Sequence, residues 1–115
     1  MIMLRYAEIQ EDSPTDQRDR ERELFDRSVE LLTKALEDGV KSFACVEAVH
    51  FTIRLWTTLL DDLAAPDNAL PKELRASLIS IGIWVLRESD AIRKGESENI
   101  SGVLDITKII RDGLK

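Results

Sequence analysis

The sequence predicts an all-α fold, a compact bundle of about four helices with an N-terminal arm packed on it. Three observations carry this reading. Three prolines and five glycines leave little room for the many turns of an all-β chain. Apolar residues recur at helical spacing over long stretches. The stretch from Phe43 to Leu63 is apolar around most of its circumference. Along it, Phe43, Val46, Val49, His50, Ile53, Trp56, Leu60 and Ala64 form one stripe. Ala44, Ala48, Phe51, Leu55 and Leu59 form a second beside it. Glu47, Arg54, Thr58 and Asp61 are left to face water. Such a helix must be covered by neighbours, so helices one, three and four are expected around it. Glu47 and Arg54 interrupt a run already near the lower length limit of a membrane span, so no crossing of a bilayer is expected.

The 115 residues suit one domain, read as an arm over residues 1–12 and a helical bundle over residues 13–115. In the arm, Ile2, Leu4 and Tyr6 alternate, as in an extended segment lying on the bundle. Ser13 is placed to cap the first helix, with Pro14 at its first position, and Gly39 to end it after Asp38. Leu24, Phe25, Ser28, Leu32, Ala35 and Leu36 share one face of it. Ser42 is the expected cap of the central helix, which stops near Ala65 before Pro66. Asp61 and Asp62 in its last turns oppose the helix dipole, and Arg75 is the expected compensating cation. Asp67-Asn68 between two prolines is turn chemistry.

Pro71 opens a third helix that Gly95 stops near Lys94, with Leu74, Leu78, Ile81, Val85, Glu88 and Ile92 on its main stripe. Ile79, Ile83 and Leu86 lie on another side, and Trp84 flanks the stripe. Gly82 lowers helix stability by about 1 kcal/mol against alanine, which a close helix crossing would justify. After the polar turn 96–99, a short last helix carries Ile100, Val103, Thr107, Ile110 and Leu114 on one stripe.

The formal net charge is −6, and its placement is uneven. Residues 8–38 hold eleven acids and five bases, whereas residues 39–115 are nearly balanced. An acidic field repels phosphate backbones and anionic lipid, which argues against a nucleic-acid or membrane partner. A single cysteine, Cys45, forms no internal disulfide, and residues 1–9 lack the long apolar region of a signal peptide. A cytoplasmic location is expected.

No catalytic, cofactor or metal constellation is visible. Cys45 and His50 sit about 140° apart around one helix, so a Cys–His dyad is not expected there. His50 reads as a core or boundary histidine. One His and one Cys do not make a zinc site, and no Gly-rich phosphate loop appears. What the sequence offers is apolar surface in excess of four simple helix faces. Dimerisation, or an amphipathic helix bound in a groove, would bury it. Leu4, Tyr6, Phe51, Leu55, Trp56, Leu59, Ile83 and Trp84 are the candidate partner-binding residues, with Trp56, Trp84 and Tyr6 as the natural anchors because such aromatics dominate binding hot spots.

The run Tyr6…Ser13-Pro14…Arg18-Asp19-Arg20-Glu21-Arg22 resembles the start of the flagellar biosynthesis regulator FlaF. Leu55-Trp56-Thr57, Asp61-Asp62-Leu63-Ala64 and Asn68-Ala69-Leu70-Pro71 continue the likeness. Ile79 to Val85, and Ile109 to Leu114 at the end, complete it. The resemblance implies a small cytoplasmic protein needed for flagellin production and export. It implies flagellin and the regulator FlbT as partners, with flagellin bound as export chaperones bind their cargo, and no cofactor is expected. Groove binding of flagellin's amphipathic terminal helices is the mechanism expected to fit that role. A direct grip on flagellin mRNA is the competing reading. It would rest on Arg93, Lys94, Lys108, Arg111 and Lys115, which are interspersed with acids and have no stacking aromatics beside them.

Overall fold

Residues 14–113 are described by a computed structural model. Four helices follow one another: α1 (Pro14–Asp38), α2 (Phe43–Ala64), α3 (Lys72–Arg93) and α4 (Ile100–Asp112). The arm, the Ser13 cap and Leu114 lie outside the described residues.

Local chemistry sets each boundary. Gly39 takes φ +98° and donates its N–H to the Ala35 carbonyl at 2.7 Å, closing α1. Ser42 Oγ donates to the Gly39 carbonyl at 2.6 Å and accepts from the Cys45 N–H at 3.1 Å. One side chain thus braces the turn and caps α2. At the far end, Asn68 Nδ2 donates to the Asp62 carbonyl at 3.0 Å, and Asn68 Oδ1 accepts from Leu70 N–H at 3.0 Å. The Arg75 guanidinium donates to the Ala65 carbonyl at 3.4 Å, which brings a cation to the negative end of α2. Asn99 Oδ1 accepts from Gly102 N–H at 3.1 Å and caps α4.

The two short connections make α1, α2 and α3 run antiparallel in turn. α2 packs on both α1 and α3. α4 lies chiefly against α1 and touches α3 only lightly, so it does not wrap the central helix as its stripe suggests. An ion pair from Arg111 to Asp26, at 3.7 Å, joins α4 to α1.

The core centres on Trp56, which has no exposed surface. Phe25 of α1 meets it edge to face, with centroids 6.0 Å apart and planes at 84°. Its indole N–H has no hydrogen-bond acceptor among the described residues, so packing holds it. Buried positions of α2 recur at seven-residue spacing: Cys45, Thr52 and Leu59; Ala48, Leu55 and Asp62; Val49, Trp56 and Leu63.

That seam is rotated from the first stripe read in the sequence. Phe43 is 78% exposed, and Val46 and His50 are exposed too, so His50 is a surface histidine. Thr52 takes a core place because its Oγ1 donates to the Ala48 carbonyl at 2.8 Å, leaving its methyl as the packing surface. Leu36 of α1 and Leu74 of α3 are likewise exposed, since no helix covers them at the bundle ends. Leu31 and Leu104 are buried in positions the stripes leave out.

By length and composition, α2 could cross a membrane, with a mean hydropathy of 1.2. Of the same window, 44% is buried inside the fold, and the core helix of a water-soluble bundle passes the same test.

Gly82 sits where α3 crosses α2. A Cβ there would lie 2.8 Å from Leu60 Cδ2 and 2.8 Å from Trp56 Cε3. The Leu60 methyl can swing away, but the Trp56 ring is enclosed. Gly82→Ala should therefore destabilise the protein by about 1–2 kcal/mol, the overpacking loss exceeding the gain in helix propensity. Thermal denaturation followed by circular dichroism reads this as a lower Tm, and a raised Tm would refute the close crossing. Trp56→Ala should lower stability by about 3–5 kcal/mol in the same measurement.

Candidate partner-binding grooves

Two grooves flank the outward ridge of α2. The first, of about 520 Å³, runs between α1 and α2. Leu24, Arg27 and Leu31 form its α1 wall; Glu47, His50, Phe51, Arg54, Leu55 and Thr58 form its α2 wall. The second, of about 380 Å³, lies between the start of α2 and the end of α3. Val40, Cys45, Val46, Val49, His50 and Ile53 face Ile92 and Arg93 across it. His50 lines both grooves.

The candidate residues divide among several places. Phe51 is half-buried and lines the α1/α2 groove, and Leu55, nearly fully buried, forms part of its floor. Trp56 and Leu59 lie in the core with almost no surface of their own, because they occupy the seam against α1 and α3. Ile83 and Trp84 are 42% and 41% exposed on α3 and line neither groove. Leu4 and Tyr6 lie outside the described residues. The grooves add Leu31, Arg27 and Arg54, which no apolar stripe includes, to Leu24 of the α1 stripe. The one signal for Leu31 is that it follows Leu24 of that stripe by two turns.

The cations considered for RNA are largely engaged. Arg93 Nε donates to Asp90 Oδ1 at 3.0 Å, and Lys94 Nζ reaches Asp90 Oδ2 at 3.0 Å. Those two bonds, Arg93's first, hold the Asp90 carboxyl below its usual range. Arg111 is shared between Asp26 and Asp112. Lys108 is exposed, and Lys115 lies outside the described residues.

Cys45 and His50 line the same groove, but no hydrogen bond joins them, and burial pushes the Cys45 thiol up. A raised pKa leaves less thiolate at neutral pH, the opposite of an activated nucleophile. Among the described residues, no group of three or more His, Cys, Asp or Glu is placed to hold a metal ion. Cys45 should react with a thiol reagent at pH 8 at least about tenfold more slowly in the folded protein than in denaturant. Equal rates would mean that the site is open.

Comparison with curated proteins returned no match, and neither did comparison with solved structures. The sequence profile of a family described as flagellar protein FlaF matches residues 3–114, nearly the whole chain. On that span, this chain belongs to the FlaF family of flagellar proteins.

Proposed function

We propose that this FlaF-family protein is a non-enzymatic flagellar biosynthesis factor. It promotes flagellin production and export in the cytoplasm as a chaperone-like adaptor, holding an amphipathic helix of flagellin in the α1/α2 groove. The observation that carries this reading is the groove itself. Its apolar residues, Leu24, Leu31, Phe51 and Leu55, lie between charged residues of two rigid helices. An amphipathic helix laid along such a groove buries its apolar stripe and keeps its polar face in water. Flagellin's terminal helices, left uncovered before assembly, need such cover. FlbT acts alongside this adaptor in setting flagellin translation.

Titration calorimetry of the purified protein against its cognate flagellin tests the proposal. Saturable binding is expected at about micromolar strength or better. Phe51→Ala should weaken it by about tenfold while leaving the helical signal intact, since Phe51 is only partly committed to the core. Truncating flagellin's ends should abolish the heat. No heat at two temperatures would overturn direct binding and favour an adaptor that acts only through FlbT. A salt-dependent gel shift of flagellin mRNA by this protein alone would favour the RNA reading.

A further inference from the structure

The edge-on contact of Phe25 with Trp56 fixes the register of two antiparallel helices. Two residues forward along α1 and two back along α2 bring Arg27 and Arg54 to the same level, on opposite walls of the groove. Glu47 lies seven residues before Arg54 on the α2 wall, about 10 Å away along the axis. Neither Glu47 nor Arg54 has an ion-pair partner among the described residues. Lys34, which the same register brings level with Glu47, is paired with Asp38 at 3.4 Å. Arg27 bonds Glu30 at 3.2 Å, but both side chains are more than half exposed, and exposed pairs of this kind are weak enough to be exchanged. Thr58 Oγ1 donates back to the Arg54 carbonyl at 3.0 Å and needs no outside partner.

The groove therefore has a cationic level, an apolar floor and an anionic level two turns on. We propose that it selects an amphipathic helix with an acidic residue flanking its apolar stripe at the level of Arg27 and Arg54, and a basic residue two turns away facing Glu47. This rests on the groove reading above and names the chemistry of what the groove accepts. The local charges select an acid-flanked helix although the protein as a whole is acidic.

Two synthetic amphipathic peptides of about 18 residues, five turns each, provide the test. They share one leucine stripe. One has Glu and Lys seven residues apart on the flank, and the other has Ala at both places. Fluorescence anisotropy with the full chain should show the Glu/Lys peptide binding about tenfold tighter, two weak pairs reinforced beside an apolar surface. Arg54→Glu should erase that preference by weakening the Glu/Lys peptide about tenfold more than the Ala/Ala peptide. Arg54 is exposed, and circular dichroism should confirm that the variant folds.

Equal binding of the two peptides, an equal loss of both in Arg54→Glu, or binding of neither would overturn the proposal. So would a dimer in sedimentation that Arg54→Glu dissolves, since the occupant would then be a second copy. The peptides contain no flagellin sequence. Flagellin binding that ignores Arg54→Glu would defeat the charge selection alone. Peptide selection without flagellin binding would defeat the assignment of flagellin alone.

Discussion

Trp56 has no free surface, and three helices meet on it at a single level. Phe25 presents a ring edge from α1, and Gly82 presents bare backbone from α3. Neither neighbour can be replaced by a bulkier group without moving a helix. A T-shaped aromatic pair is worth about 0.5–1.5 kcal/mol beyond the area it buries, so the contact fixes register as well as adding stability. Everything outward of it follows. The water-facing ridge of α2 stands above a trough on each side, one against α1 and one against the end of α3, and those troughs are the two grooves.

Helix ends were legible because a few residues set them alone. Gly39 can take a positive φ, Ser42 can cap, and Pro66 and Pro71 bracket a turn. Even the unfavourable Gly82 pointed correctly to a close crossing. Helix faces were less legible. On α2, apolar residues occupy more of the circumference than one core can cover, so counting them does not say which arc is inside. The seam includes Cys45, Thr52 and Asp62, which a hydrophobic stripe omits. Thr107 of α4 is fully buried for the same reason as Thr52, with its hydroxyl bonded to the Val103 carbonyl.

The grooves were legible only in outline. Excess apolar surface led to the expectation of a groove, and of the residues named for it Phe51 and Leu55 line one. The walls of a groove, however, come from pairs of helices. Which residue of α1 faces which residue of α2 depends on the register that Phe25 and Trp56 set, and no single-helix pattern contains it. Arg27 and Arg54 look like ordinary surface charges until that register places them across from one another.

The attachment of α4 chiefly to α1 has a consequence for how the chain is made. α1 and α2 are adjacent in sequence and can pair through Phe25 and Trp56 as soon as both have left the ribosome. The side of α1 that carries Asp26 has to wait for Arg111, which lies three helices further along the chain. Contacts so distant in sequence form slowly, and apolar surface left open in the interval is prone to misassembly. α4 is therefore the helix that completes α1, and this bundle closes only after all four described helices have been made.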